Sequence, residues 1–306
     1  MSIGVLSNGK ISIPLIQALT QHRLLAWVAI SDEKNESVAE LIAYLDNYRV
    51  PYFLMKKEDF VAVLLQKIKQ MNVFSLFVLG FTWKLPTDLL GVPMLGCWNF
   101  HFGALPAYRG NAPIFWQIKH QEKVASLTVH KITKHLDEGA IAHVESTPIL
   151  IHDTFGTIEK KLSLLAVNAM MILIEKLFSN KLSLSEQNHK HAKVYKKPTA
   201  TDVCIDWQKQ TAKEIRSLIC ATNPWNKGAY TQFQQQYIRF LQVEILNDSE
   251  KNQEKAGTII KADSEGLWVI CKDKSVLNIE IVYSDEGYFT GAQLVKLGVT
   301  KGQRFE

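Results

Sequence analysis

The sequence predicts an α/β fold: an open, mostly parallel sheet with flanking helices, followed by a small C-terminal β-barrel. In the first half, short apolar runs alternate with amphipathic stretches in strict succession, the pattern of right-handed βαβ units. From Tyr237 onward the chain reads instead as short strands broken by glycines and polar turns, which suits a barrel. A length of 306 residues exceeds what one hydrophobic core usually serves, so two domains are expected.

In chain order, Ile3–Leu6, Leu24–Ile30, Tyr52–Met55 and Phe74–Gly80 read as buried strands. Between them, Ile11–Gln21, Glu36–Tyr48 and Lys57–Lys69 carry apolar residues at helical spacing. Cys97–Phe100, Leu127–Ile132 and Ala140–Ser146 are further strands, and a long helix is expected from about Thr154 to Phe178. The stretch Asn180–Thr201 turns polar and basic and reads as a linker. The expected division is therefore a catalytic domain over 1–180, a linker over 181–202 and a barrel domain over 203–306. Within the last, Ala212–Cys220 reads as a helix, and Tyr237–Val243, Gly257–Lys261, Leu267–Cys271 and Leu277–Val282 as strands.

Hydrophobic residues at 47% and charged residues at 21% place the chain among soluble globular proteins. A net charge of +5 permits a phosphate-bearing partner without demanding one. Cys97, Cys204, Cys220 and Cys271 are far apart, with no CxxC spacing, so they read as reduced thiols rather than a disulfide frame or zinc site. The N-terminus enters a strand-like segment directly, so no signal peptide is expected, and no apolar run approaches a membrane span. The expected location is the cytoplasm.

In an open parallel sheet, ligands bind outside the carboxyl ends of the strands. The segment Cys97–Pro113 follows a strand and gathers Asn99, His101, Arg109, two glycines and two prolines into one loop. Asn99 and His101 flank a single residue, so in extended chain their side chains point the same way. After the next strand comes His135-Leu-Asp-Glu-Gly139, which contributes Asp137. An amide, an imidazole and a carboxylate from neighbouring strand ends suit acyl transfer: one stabilises an oxyanion, one handles protons, and one orients the imidazole. Residue patterning by itself stops at that candidate site.

The same residues carry a resemblance. Asn99-Phe-His101, Leu105-Pro106, Arg109-Gly110 and Pro113 resemble the N-x-H strand end, S-L-L-P loop and R-G-x-x-P helix start of the formyltetrahydrofolate-dependent formyltransferases. Thr128-Val-His130, with Asp137 and Gly139 beyond it, resembles that family's second motif. Cys204–Trp207 and Asn223–Tyr230, with the β-rich tail, resemble its C-terminal barrel, found in methionyl-tRNA formyltransferases and amino-sugar formyltransferases. The resemblance spans nearly the whole chain and implies a Rossmann-like formyltransferase fold with an OB-like barrel. It also implies 10-formyltetrahydrofolate as co-substrate, no metal, and Asn99, His101 and Asp137 as catalytic residues. Asn99 and protonated His101 would stabilise the oxyanion of the tetrahedral intermediate. Asp137 would orient His101 and help move the proton to the folate nitrogen. Folate contacts are expected from Trp83, Gly103, Ala104, Leu105, Pro106, Asn111, Thr133, Lys134, His135 and Leu136.

Two departures stand out. Gly103 replaces the serine of the S-L-L-P loop, a loss not expected to abolish activity. Between Ile30 and Tyr52, where methionyl-tRNA formyltransferases usually carry an inserted basic, glycine-containing loop, this chain is short and acidic at its start. It offers no comparable phosphate-facing surface, which favours a small amine-bearing acceptor such as an amino sugar nucleotide or amino acid derivative. Methionyl-tRNA is the runner-up, with the basic stretch around Lys193–Lys197 as an alternative RNA surface.

Bland roles compete for several of these residues. Asp137 could cap a turn, and Arg109 and Asn111 could brace the loop and open the next helix, where Pro113 suits an early position. His130 is open between strand packing and a site role. Trp83, Trp98 and Trp116 read as core, although the resemblance puts Trp83 beside the folate. Ser7–Pro14 lacks the G-x-G-x-x-G pattern of a dinucleotide site.

Overall fold

The computed structural model describes residues 2–246 and 253–306. Two compact units emerge: Met1–Pro113, Val124–Pro148 and Glu159–Tyr195 form the first, and Ile114–Lys123, Ile149–Ile158 and Lys196–Glu306 the second.

The first unit is built on β1 (Ser2–Ser7), β2 (Leu25–Ser31), β3 (Tyr52–Met55), β4 (Val73–Leu79), β5 (Cys97–His101), the two-residue β6 (Arg109–Gly110), β7 (Val124–Lys131) and β8 (Ile141–Pro148). Its seven-stranded sheet runs β3-β2-β1-β4-β5-β7-β8. Its helices are α1 (Ile13–Gln21), α2 (Glu36–Asn47), α3 (Phe60–Gln70), α4 (Thr87–Leu90) and, from Glu159 on, α6 (Phe155–Phe178), while α5 (Pro113–Lys119) falls in the second unit after Pro113. β1 and β4 are buried nearly end to end, as strands covered on both faces must be. The Asn35 side chain accepts the Val38 N–H at 3.0 Å and so caps α2. Only the short stretch 32–35 separates β2 from α2, with no room for an inserted loop.

Strands β3, β2, β1, β4 and β5 pair in parallel, as the βαβ succession predicts. β7 and β8 run antiparallel. A parallel return needs a crossover spanning the strand's length. The only helix between β5 and β7 is α5, whose seven residues extend about 10 Å, shorter than the ~16 Å of a five-residue strand. β7 therefore starts where β5 ends and comes back beside it.

The stretch expected as a linker is tied down along much of its length. Ser185 pairs with Ile141 through N–H···O bonds of 2.8 and 2.9 Å. β9 (Val194–Tyr195) then pairs in parallel with β6.

The second unit adds α7 (Ala212–Thr222), opened by a Thr211–Glu214 capping box. The strands β10 (Ala229–Phe233), β11 (Gln236–Leu246), β12 (Ile259–Asp263), β13 (Gly266–Ile270), β14 (Val276–Ser284) and β15 (Gly287–Thr290) follow, then α8 (Gly291–Lys296). The antiparallel order is β10-β11-β14-β13-β12, with β15 beside β14. Residues 302–306 stitch the two ends of this order together. Phe305 N–H donates to Gly257 O at 2.9 Å just ahead of β12, and Glu306 N–H donates to Gln232 O of β10 at 2.8 Å. The result is barrel-like, with Trp207, Phe240 and Phe305 fully buried at its centre. β10 and β15 went unread in the sequence because their alternation is short and half polar. Among the described residues, no helix is long and apolar enough to cross a membrane.

Candidate active site

The sheet reverses its order between β1 and β4, the switch point at which open α/β sheets bind ligands. The candidate catalytic residues gather beside it, at the carboxyl end of β5. Asn99 and His101 are two apart on β5 and share a face. Antiparallel pairing puts His130 of β7 directly opposite Asn99. The loop after β7 then brings Asp137 to all three.

Asp137 is 5% exposed, and its carboxylate is shared among many partners. Oδ1 lies 3.4 Å from Asn99 Nδ2, 3.5 Å from His130 Nε2 and 3.7 Å from His101 Nδ1. Oδ2 accepts the Gly110 N–H at 2.8 Å. Burial pushes this carboxyl up, but the His130 contact, the neighbouring His101 and the Gly110 N–H outweigh it, leaving Asp137 below the ordinary value. His130 Nδ1 faces the Lys131 carbonyl at 3.1 Å and must donate to it. Its Nε2 lies 3.1 Å from Asn99 Nδ2 and 3.5 Å from Asp137 Oδ1. His130 is thus part of the cluster, in contact with both Asn99 and Asp137.

His101 Nε2 donates to the Tyr108 carbonyl at 2.6 Å. Its Nδ1 is at ion-pair distance from Asp137 but beyond a hydrogen bond. Burial drags the imidazole below its ordinary 6.5 and His130 adds to this, against opposing pulls from Asp137 and the Tyr108 carbonyl. His101 therefore rests neutral at pH 7.

Both shifts have the same consequence for stability. The unfolded chain takes up a proton at His101 near pH 6.5 and at Asp137 near pH 3.8, and the folded protein does so only at lower pH. The stability each contributes is complete above those values and is lost as pH falls through the folded ones. The wild-type melting temperature should thus drop between pH 7 and 5, and more shallowly in His101→Asn. Parallel curves for the two proteins would show that His101 is not held neutral by the fold.

The backbone around these side chains is tight. A Cβ at Gly103 would lie 2.8 Å from His101 Nε2, from Pro113 Cβ and from the Tyr108 carbonyl. The serine of the resembled loop has no space here, which accounts for the first departure. A Cβ at Gly139 would lie 1.7 Å from the Lys131 carbonyl oxygen, so the turn closes only on a glycine. Asp137 has φ +54°, the left-handed region that aspartate and asparagine tolerate better than most residues.

The residues expected to contact folate are distributed unevenly. Gly103 is buried, and Ala104, Leu105 and Pro106 are half-buried beside His101; Leu105 N–H donates to Thr128 Oγ1 at 3.3 Å. Thr133 is half-buried, whereas Lys134, His135 and Leu136 are exposed on the rim of the Asp137 turn. Trp83 follows β4 and packs on Phe60 and Phe81, with ring centroids 5.1 and 5.6 Å apart. The Asn111 side chain is exposed, and its N–H donates to Tyr195 O at 2.9 Å, so its visible contact is with β9. Arg109 is buried and braces the loop by pairing with Glu138 at 3.0 Å and with Gln187. Gln187 escaped the sequence reading altogether: a single glutamine in a polar stretch carries no periodic or motif signal.

A neutral imidazole, an amide donor and a fixed carboxylate at a switch point are the parts of an α/β group-transfer enzyme. The family model described as Formyl transferase matches residues 28–174, and that described as Formyl transferase, C-terminal domain, matches residues 197–293. The methionyl-tRNA formyltransferase of Enterococcus faecalis is 31% identical over 216 residues, which is 71% of this chain and 68% of that one. The chain belongs to the formyl transferase family, and it is a formyltransferase. Among solved structures, the N-formyltransferase from Helicobacter canadensis, in complex with folinic acid and dTDP-3-aminofucose, superposes with a TM-score of 0.68 at 16% identity. That match covers 90% of this chain and 98% of the other. HypX from Aquifex aeolicus, in complex with tetrahydrofolic acid, superposes with a TM-score of 0.64 at 13% identity over 98% of this chain and 48% of its own, so the chain spans about half of HypX.

Proposed function

We propose that this protein transfers the formyl group of 10-formyltetrahydrofolate to the primary amine of a small molecule, an amino sugar nucleotide or an amino acid derivative. The observation that carries the small-molecule reading is the tight β2–α2 connection, where 32–35 includes Asp32 and Glu33 and leaves no basic loop to meet RNA phosphates. The donor reading draws on the folate compounds bound to the Helicobacter and Aquifex proteins. It also draws on the loops Gly80–Trp83, Gly103–Pro106 and Thr133–Asp137, which follow β4, β5 and β7 and offer backbone polar groups beside Trp83, Leu105 and Leu136 to a flat, hydrogen-bonding pterin.

The mechanism follows from the resting charges. The neutral amine attacks the formyl carbon, and Asn99 Nδ2 donates to the oxyanion that develops. Neutral His101 takes the amine proton on Nδ1, and Asp137 stabilises the imidazolium so formed. The new C–N bond forms, the bond to folate N10 breaks, and the same proton ends on N10. The imidazolium expected from the sequence thus arises during the reaction rather than before it.

The second reading is transfer to initiator methionyl-tRNA, favoured by the identity to the Enterococcus protein. The test incubates the protein and 10-formyltetrahydrofolate with dTDP-3-aminofucose, a panel of amino acids, or charged initiator tRNA, at two salt concentrations. Formylation of a small amine with nearly salt-independent KM is the expected result. Efficient formylation of the tRNA, with binding that falls by nearly one log-log unit per phosphate contact, would replace the first reading with the second.

A further inference from the structure

We infer that Gln187 is a positioning residue for formyl transfer: it clamps the backbone of the Asp137 turn and thereby aims the carboxylate at Asn99, His101 and His130. The inference rests on the proposed role of Asp137. Gln187 is 5% exposed, on the strap that follows the Ser185–Ile141 bridge. Its Nε2 donates to the Asp137 carbonyl at 2.9 Å and to the Gly139 carbonyl at 2.8 Å, one on each side of Glu138. Its Oε1 accepts from Arg109 Nε at 3.2 Å and Nη2 at 2.7 Å. Arg109 is 4% exposed and also reaches Glu138 at 3.0 Å and His189 Nδ1 at 3.1 Å. The residue after Arg109 is Gly110, whose N–H holds Asp137 Oδ2.

These contacts close a loop of restraints. Arg109 and Gly110 belong to β6, which β9 of the strap holds in register. Gln187 ties the same strap to the backbone of Asp137, and Gly110 grips its carboxylate. The turn needs such a clamp because Asp137 has a backbone conformation that non-glycine residues seldom adopt. Released, it would relax by a fraction of an ångström or more, and misplacement on that scale costs about 100-fold in a reaction that depends on alignment.

The test uses the full chain carrying Gln187→Ala, or Gln187→Glu, which is nearly isosteric and still accepts from Arg109 but sets a negatively charged oxygen in place of the two N–H donors. kcat and KM for 10-formyltetrahydrofolate are measured with the acceptor that the wild type formylates. In parallel, the titration midpoints of His101 and His130 are read by NMR. The titratable groups facing Asp137 are His101 and His130, with the Arg109–Glu138 pair and His189 beside the turn. In both variants kcat should fall about 10- to 100-fold and KM for the donor should stay within about twofold, and in Gln187→Ala the His101 midpoint should move down as the carboxylate drifts from it. A folded variant with kcat within about twofold of wild type overturns the inference whatever its melting temperature. So does a fall in kcat with unmoved histidine midpoints in Gln187→Ala. Asp137→Asn in the same assay separates the two levels: if it keeps full turnover, the reading of the site has failed rather than the clamp. Should the wild type formylate nothing offered, the histidine midpoints alone decide.

Discussion

Asp137→Asn is expected to lower formyl transfer at least ~100-fold while the protein stays folded. Asparagine matches aspartate in shape and can still accept the Gly110 N–H with its amide oxygen. Its NH2 group then faces Asn99 Nδ2, from which the native carboxylate Oδ1 accepts, and lies beside His130 Nε2 and His101 Nδ1. An imidazolium formed at His101 would lose its counter-charge, and Asn99 would be turned away from the oxyanion by a competing donor. Asn99→Ala should cost a similar factor by removing that donor outright. The measurement is kcat with the accepted amine, alongside near-UV circular dichroism to confirm the fold. Turnover within tenfold of wild type in Asp137→Asn would remove the carboxylate from the chemistry and leave it as a turn cap.

Gly139→Ala should be the most damaging single-methyl change in the first unit. The added carbon would overlap the Lys131 carbonyl oxygen, a backbone atom at the end of β7 that no rotamer change can move. The end of the strand is also anchored here, since Lys131 N–H donates to the carbonyl of the next residue, Ala140, at 3.0 Å. Relief requires the turn to shift by an ångström or more, at a cost of about 3 kcal/mol. The melting temperature should then fall by roughly 6–12 °C in a chain of this size. Because Asp137 rides on the same turn, formyl transfer should fall with it. A variant that melts within about 2 °C of wild type and keeps its activity would show that the turn tolerates what its geometry forbids.

The parallel core of the fold was legible because βαβ units write their periodicity into contiguous sequence: β1, β2, β3 and β4 each appear as an apolar run close to its observed place, although β3, at the sheet edge, buries only Met55 rather than the whole run. The direction of β7 was not, since strand polarity depends on how far the preceding helix carries the chain, and apolar alternation is blind to that. Asn99, His101 and Asp137 were readable as candidates from residue types near strand ends, and the structure brings them within 4 Å of one carboxylate oxygen. His130 was undecided because its role depends on cross-strand register with Asn99, which a single strand does not contain. Gln187 was invisible for a related reason: a hydrogen-bond clamp between residues fifty positions apart leaves no local trace.

The strap from Ser185 to Tyr195 bears on how the protein can be cut and recombined. A fragment ending at residue 180 would retain every strand of the large sheet and all of Asn99, His101, His130 and Asp137. It would lack Gln187, the partner of β6 and the ties at Lys193 and Tyr195 that hold Arg109 and Asn111. Chimeras that exchange the C-terminal part should therefore be joined after Tyr195, so that the parent supplying the large sheet brings its own strap. A junction fifteen residues earlier would graft a foreign strap onto a native loop, and what looks like a linker swap would in effect alter the hydrogen bonds that hold the Asp137 turn.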